Sequence, residues 1–584
     1  MKKLKAVLSM ALCLALTFCA SYRVLAEGYG DNSGVIGDNL GADEYPISSK
    51  FLTVSEEYVA GIMGGALGVN AVDMFDNSAY IKFYDENGDE VDYSKELKTG
   101  YTVTRSVGKN TTDRKTLLLL GDINSDSRTT VNDIVELISA IQNKTNPEGL
   151  AFKCADSDLN GKLTVTDVVR VRSAILKGVT MDNVDFKTQT LNAYENLDYI
   201  KTLGRNYIDA NGIGCDISAS GIEFRAVCEG TVSLKYNCSA WCNFRVYVDG
   251  VEQKEYKALG PGTAQTTILA ENLEKGEHTF KFCRMSEIGE FTVTEIGLKG
   301  KLCPKLKENK IIEIIGDSIT CCAGSVICVK DTTQNLNIAD FDGDIDRVMV
   351  AFTPKAGGDV QRYDIDYISG SGSSYTISTE SGSISFSKSD YTVTEEFYAA
   401  DGELIASVPY EAGNVSFLTD GPRSYGVLTA NNIGYDYNIF SRSGAKVDEM
   451  HERYPKWYDR NTSTEYVPAR ESDIIVINLA TNSWPNSPTA AYCTQLKNFV
   501  SMLKEYHPNA EIVVTYGAMT QWYMNNQIKP ALERTVSDMG GEESGIYLLK
   551  FSSSRDGSNG HPSVADHRRM ADELTEFIKS KSLD

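Results

Sequence analysis

Histidine is scarce in this sequence, five residues in 584, so a histidine that relays protons is one of His278, His451, His507, His561 and His567. No pair of Cys-x-x-Cys units stands at the spacing of a zinc site, which excludes a zinc ribbon. After the first 26 residues no apolar run reaches the ~18 needed to cross a bilayer as a helix. Basic residues are also short: 57 Lys and Arg face 80 Asp and Glu, a formal charge of −23. Such a surface repels nucleic acid and anionic lipid and tolerates neutral partners, so the reading is no nucleic acid and no membrane.

What is present divides by pattern. Residues 1–26 join a lysine-rich start, the apolar stretch AVLSMALCLALTF and Val-Leu-Ala, which reads as a signal peptide and predicts a secreted, extracellular protein. Its removal takes away Lys2, Lys3, Lys5 and Arg23 and leaves −27. Thirteen cysteines include two in that leader; the odd remainder cannot all pair within one molecule. Cys228, Cys238, Cys242 and Cys283 are expected as free thiols, with one or two bridges as the alternative. At about 150 residues per domain, the length implies about four domains. Residues 27–45 read as a flexible Gly/Asn/Asp leader. Residues 46–119 read as a small β-rich domain with a hairpin across Glu86-Asn87-Gly88.

Residues 120–180 hold the strongest local signal. Asp122, Asn124, Asp126 and Asp133 fall at positions one, three, five and twelve of a calcium loop, and Asp156, Asp158, Asn160 and Asp167 repeat the spacing. Arg128 and Lys162, at position seven, offer backbone carbonyls. Ser127 stands at position six where Gly161 stands in the second loop, so the first site is expected to be weaker. Each loop leads into an amphipathic run, VNDIVELISAIQ and VTDVVRVRSAIL. Asp at position twelve resembles a type I dockerin, a small all-α, EF-hand-like module. That resemblance implies two Ca2+ ions and a cohesin partner on a scaffold protein, and with it a cellulosome-associated enzyme. It places Val131, Asn132, Ile138 and Ser139 against the partner in one orientation, and Val165, Thr166, Arg172 and Ser173 in the other.

Residues 187–308 alternate apolar and polar positions without a helical period, which predicts a β-sandwich or jelly-roll domain. Trp241, between Cys238 and Cys242, is expected to pack in the core. Residues 309–584 read as an α/β domain. IIEIIGDSIT is a short buried strand that turns at Gly316-Asp317-Ser318, and open α/β sheets carry ligands beyond the carboxyl ends of their strands. DIIVINLATN delivers Asn482 in the same way, YNIFSRSGAK turns at Gly444, and DGSNGHPS places His561 before a final amphipathic helix. Residues 326–417 interrupt the domain with a Ser-, Gly- and Tyr-rich β-insertion, read either as a carbohydrate-binding module or as a structural insert.

The words GDSIT, FSRSG, VINLATN and DGSNGHPS resemble the SGNH-hydrolase superfamily, in particular carbohydrate esterase family 2, the acetyl-polysaccharide esterases. The likeness implies a flavodoxin-like three-layer α/β domain preceded by a β jelly roll. It also implies Ser318 as nucleophile and His561 as base, with the N–H groups of Ser318 and Gly444 and the amide of Asn482 receiving the oxyanion and no cofactor for catalysis. Gly444 is expected to allow close approach by lacking a Cβ. Three residues before the histidine the wider superfamily has Asp; here Ser558 stands there, and a backbone carbonyl is expected to hold the ring rather than Asp556. Ala480 and Ser483 depart from the usual Gly-Thr-Asn-Asp. Asp317 reads as a loop-ordering residue. Trp484 and Trp522 are candidates to floor a sugar subsite, with rim or core packing as the alternative. Cys321 and Cys322 are either an oxidation liability or buried packing. The resemblance implies an esterase that removes O-acetyl groups from plant polysaccharide such as acetylxylan or glucomannan. The alternative is a polysaccharide-binding subunit on a decayed esterase scaffold.

Overall fold

Continuous runs of β-branched residues make strands that can be buried on both faces, and here they build a parallel sheet. In this computed structural model the strands are Ile311–Gly316 (β1), Asp436–Ser441 (β2), Ile474–Asn478 (β3), Glu511–Tyr516 (β4) and Ile546–Lys550 (β5). All pairs are parallel, in the order β2-β1-β3-β4-β5. The helices are Ser318–Cys321 (α1), Tyr425–Ile433 (α2), Val447–Arg453 (α3), Thr489–Tyr506 (α4), Lys529–Asp538 (α5) and Val564–Ser580 (α6). Val447, Met450, Leu496, Phe499 and Leu532 of α3, α4 and α5 pack on one face of the sheet. Tyr425, Ala430, Met570, Leu574 and Ile578 of α2 and α6 pack on the other, giving three layers. In this strand order the chain reverses direction between β1 and β3, and the crevice at their carboxyl ends is where such sheets hold ligands. The structure describes residues 46–107, 110–157, 160–176, 187–253, 256–329, 345–365, 368–379, 382–399, 401–410, 415–456, 465–483, 489–519, 524–553, 557 and 560–584. The signal-peptide and leader readings (1–45) lie outside them.

Glu313 sits at the centre of β1, fully buried. A buried carboxylate needs donors, and Tyr454 Oη (2.9 Å), Ser472 Oγ (3.0 Å) and Asn438 Nδ2 (3.0 Å) all donate to it.

The preceding region is all-β, as its alternation predicts, and its strands form one ten-stranded antiparallel sheet. Its longest strands, Gly221–Cys238 and Gly262–Arg284, pair through several register shifts that bend them. Gly221–Cys238 pairs with Ile200–Leu203 at its start and with Phe291–Leu302 further on. Cys228 and Cys283 are free and buried, as expected; Cys238 and Cys242 are free with their sulfurs 3.5 Å apart. Trp241 departs from expectation: it is 70% exposed on the turn between them.

Within 46–119 a five-stranded sheet is joined by short helical turns between Gly68 and Tyr80 that the reading of strands alone did not include. The expected turn forms at Asp85–Asp89, where the Asp85 N–H donates to Asp89 O at 2.9 Å. Ile81–Tyr84 nevertheless takes Thr102–Val107 as its ladder partner. This region shares one core with Val227 of the ten-stranded sheet and Cys303 just beyond its last strand, so the boundary at 187 does not separate their packing.

Residues 120–176 form helices Val131–Asn143, Gly149–Ala155 and Val165–Leu176 on a small core of Ile123, Leu137, Ala155 and Val171. Thr130 and Asp133 form a capping box at the first helix. Val131, Asn132, Ile138, Ser139, Val165, Thr166, Arg172 and Ser173 are all exposed.

The insertion is β-rich. Val326–Val329 pairs with Val415–Leu418 as a two-stranded stem; beyond it stand a four-stranded and a three-stranded sheet, packed on each other through Val350, Phe352, Ile377 and Phe386. Asp346 of the insertion accepts from the Ala565 N–H at 3.2 Å, at the start of α6.

Candidate active site

Two local features bring Ser318 to the end of β1. Gly316 has no room for a side chain: an added Cβ would lie 1.9 Å from Thr320 Oγ1, so glycine lets the first turn of α1 fold back on the strand. Asp317 then caps α1, its carboxylate accepting from the Ile319 N–H at 3.1 Å. Ser318 is the first helical residue, 7% exposed.

His561 arrives from the other end of the chain. The Gly557 N–H donates to His561 O at 2.8 Å, closing the loop, and an added Cβ on Gly557 would meet His561 O and Pro562 O at 2.9 Å. Ser563 ends the loop as the cap of α6, in a capping box with Asp566. The His561 Nε2 lies 2.9 Å from Ser318 Oγ, across 243 residues of sequence. The other histidines are elsewhere. His278 bonds Asp249 at 2.8 Å on the antiparallel sheet, and His451 faces Phe499. His507 is buried at 2.8 Å from Tyr454 Oη. His567 is buried behind the site, where burial and nearby His561 push its pKa down to about 3. The neutral His567 ring accepts from the Tyr425 N–H at 3.2 Å.

Gly444 stands at φ +79 on the exposed turn after β2, a left-handed conformation that favours glycine. An added Cβ would meet no atom of the chain within 4 Å, so backbone angle, not close packing against the protein, accounts for the glycine. No acceptor is found among the described residues for the N–H of Ser318 or of Gly444. Asn482, half-buried after β3, directs its Nδ2 to Asp317 Oδ2 at 3.2 Å and to Ala445 O at 3.3 Å. Both amide hydrogens are thus engaged within the chain, and one must be released before the side chain can donate to anything else. The two departures beside it are accommodated. Ala480 is fully buried, and Ser483 Oγ donates to Leu479 O at 2.9 Å.

Asp317 orders this site rather than acting as its base: it is fully buried and touches Asn482 and Ile319, not His561. Burial pushes its pKa up to about 7, against the lowering effect of its N–H donors, and Glu287 adds to the rise. Cys321 and Cys322 are fully buried and their thiols are raised above the ordinary range by that burial, which leaves them as packing groups. Trp484, Trp522, Asp556 and Ser558 lie outside the described residues.

The antiparallel sheet also supplies residues that sequence spacing does not reveal. Ser218 Oγ donates to Cys321 O at 3.0 Å, and Glu287 reaches both Cys321 and Ser443. Arg245 pairs with Asp420 at 2.8 Å, both fully buried, at the junction of the two regions.

In the calcium-loop region, Asp122 Oδ1 accepts from the Ser127 N–H at 3.1 Å and Asp133 Oδ1 from the Ile123 N–H at 3.0 Å. Asp156 accepts from the N–H groups of Asn160 and Gly161, and Asp167 from Thr164. Both loops are wound inward on their first and twelfth residues. Among the described residues, no three acidic, His or Cys side chains converge on one point, and Asp158 lies outside them. Ser127 has φ +69 and Gly161 φ +81, so position six does require the left-handed region.

No family model matches the chain. It is similar to the cellulase/esterase CelE of Acetivibrio thermocellus, 25% identical over 403 residues, which cover 64% of this chain and 38% of that protein. It is similar also to the acetylxylan esterase / glucomannan deacetylase of Cellvibrio japonicus, 28% identical over 197 residues, 30% of this chain and 53% of that one. The chain thus spans about half, or less, of the length of these curated relatives. A solved family two carbohydrate esterase from Clostridium thermocellum, in complex with cellohexaose, aligns at 21% identity with a TM-score of 0.47, covering 66% of this chain and 99% of that one. Across the residues matched to the two curated proteins, this chain is a homologue of carbohydrate esterases.

Proposed function

We propose that the chain is a secreted esterase that removes O-acetyl groups from a plant cell-wall polysaccharide such as acetylated xylan or glucomannan. The observation that carries this reading is the 2.9 Å contact between Ser318 Oγ and His561 Nε2 at the carboxyl end of a parallel sheet. Within it, Ser318 Oγ attacks the acetyl carbonyl while His561 takes its proton. The tetrahedral oxyanion is received by the N–H groups of Ser318 and Gly444, joined by Asn482 once substrate displaces one of its present partners. Donors held in place for that charge are worth about 3 kcal/mol each. Collapse breaks the ester bond, His561 returns the proton to the departing sugar oxygen, and the acetyl group stays on Ser318. Water, deprotonated by His561, then releases acetate and restores the serine. No part of this sequence calls on a metal.

The test is acetate release from acetylated xylan and from 4-nitrophenyl acetate. Wild type is expected to turn over both, and Ser318→Ala and His561→Ala to lose at least about 1,000-fold in kcat. Equal inertness of all three proteins, with polysaccharide still bound, would instead establish the decayed, sugar-binding alternative.

The reading extends to the helical region. Loops 122–133 and 156–167 each hold one Ca2+, through the side chains of Asp122, Asn124, Asp126 and Asp133 and of Asp156, Asp158, Asn160 and Asp167, with the carbonyls of Arg128 and Lys162. All of these donors are oxygen, the ligand type a hard cation takes, and the inward winding of both loops supports the assignment. Binding would draw the acidic side chains together and order the exposed helix faces for a cohesin domain of a scaffold protein.

A further inference from the structure

We propose that Glu287 is a positioning residue for the reaction at Ser318, supplied by the antiparallel sheet to a site that the parallel sheet otherwise builds; this rests on the esterase reading above. Glu287 lies on the turn that joins Gly262–Arg284 to Phe291–Leu302. A single carboxylate oxygen, Oε2, accepts from the Ser443 N–H at 2.7 Å and from the Cys321 thiol at 3.1 Å. Those two donors belong to the two halves of the catalytic apparatus. Cys321 ends the one-turn helix that opens on Ser318, and Ser443 immediately precedes Gly444.

Each half also has anchors in its own domain, among them the Cys321 N–H donating to Asp317 O at 3.1 Å and the Cys321 thiol lying 3.3 Å from Ser441 Oγ, but each is short or exposed. α1 is four residues long and ends in a left-handed Cys322, and Arg442, Ser443 and Gly444 are all exposed. The oxyanion turn is pinned to the sheet through the Arg442 N–H, which donates to Gly316 O at 3.2 Å, and it closes on itself from Ala445 to Arg442 O at 3.1 Å. The Ser443 peptide between these bonds is the one Glu287 takes. Fixing that N–H holds the 442–443 peptide plane, whose Arg442 O also accepts from Ala445, and so narrows the directions in which the next N–H, that of Gly444, can point. Because the same oxygen also holds Cys321, the carboxylate fixes the spacing between nucleophile and oxyanion donor. Ser218 strengthens the frame from the same region by donating to Cys321 O at 3.0 Å.

Glu287 is partly exposed at the wall of an open cleft of about 470 Å³ that Ser239, Ile288 and Arg442 also line, so it is not a core residue whose loss empties the interior. A displacement of about 1 Å at a reacting group costs up to about 100-fold in rate, which sets the scale of what loosening Ser443 can cost.

The experiment compares wild type, Glu287→Ala and Glu287→Gln in 4-nitrophenyl acetate hydrolysis and in the rate at which a fluorophosphonate labels Ser318, followed by mass spectrometry. Glu287→Ala is expected to lower kcat about 10- to 100-fold with KM within twofold. Glu287→Gln, whose amide oxygen still accepts from Ser443, is expected to return kcat to within about fivefold of wild type. Labelling rates are expected to follow the same order, with melting temperatures unchanged. Glu287→Ala within twofold of wild type in both readouts overturns the proposal, as does a Gln variant no better than Ala. A wild type that is labelled at Ser318 but hydrolyses no acetate ester sinks the esterase reading alone. The labelling order of the three proteins then still decides for or against Glu287.

Discussion

Asp317→Asn separates what the buried carboxyl costs from what it contributes. The residue is fully enclosed, and burial holds its pKa near 7 where the free side chain has 3.8. Because the folded value lies above the unfolded one, the stabilisation from this group is complete below pH 3.8. It is lost progressively as pH rises towards 7 and constant beyond. At 1.36 kcal/mol for each tenfold step, charging Asp317 inside the fold costs about 4 kcal/mol more than charging it in the unfolded chain. The Asn variant is the same size, still accepts from the Ile319 N–H and carries no charge. Its stability relative to wild type, from urea denaturation at several pH values, is therefore expected to climb between pH 4 and 7, by about 4 kcal/mol, and then level off. Activity is expected to move the other way. Asn482 Nδ2 loses its carboxylate acceptor and faces an amide N–H2 unless its own amide turns over, so kcat is expected to fall about 100-fold, the cost of one misdirected oxyanion donor. A difference in stability that is flat from pH 4 to 8 would refute the account of Asp317 as a carboxyl held against its own charge.

Further outcomes are expected at the domain junction and in the calcium loops. Asp420→Ala strips the partner from fully buried Arg245; the cost is expected near about 3 kcal/mol in denaturant, the lower end for a broken buried pair, since Glu252 remains 2.9 Å from Arg245. A loss under about 1 kcal/mol would show that the junction relaxes to hydrate the guanidinium. Calcium titration by calorimetry is expected to resolve a stronger and a weaker step, with Asp133→Ala removing the weaker one. Ser127→Gly should tighten that step by about 1 kcal/mol through relief of its left-handed backbone, and chelation should lower the melting temperature.

The parts of this protein that were legible early are those whose physics is local. Ile311–Gly316 reads as a buried strand because its composition admits little else, and the amphipathic run after DGSNGHPS announces α6. The positive φ at position six of each calcium loop follows from the loop's own geometry. Expectations failed where a neighbour from far along the chain decides. Trp241, expected in the core, sits instead on a turn that faces outward at 70% exposure. At Gly444 the positive φ supplies a backbone reason for the glycine beside the expected open approach to its N–H. The partners of Asn482, Asp317 and Ala445, also come from distant positions that its own strand-end sequence does not reveal.

By itself the sequence determined the residue types at each strand end: Ser318 after β1, Gly444 after β2, Asn482 after β3 and His561 ahead of α6. Turn chemistry and apolar runs are properties of a few adjacent residues, so they survive in a linear text. Tertiary structure alone decided that Ser318 and His561 meet at 2.9 Å across 243 residues, and that Glu287 and Ser218 of the antiparallel sheet brace the nucleophile helix. Such contacts depend on how two separately built sheets dock, and no short-range pattern encodes that.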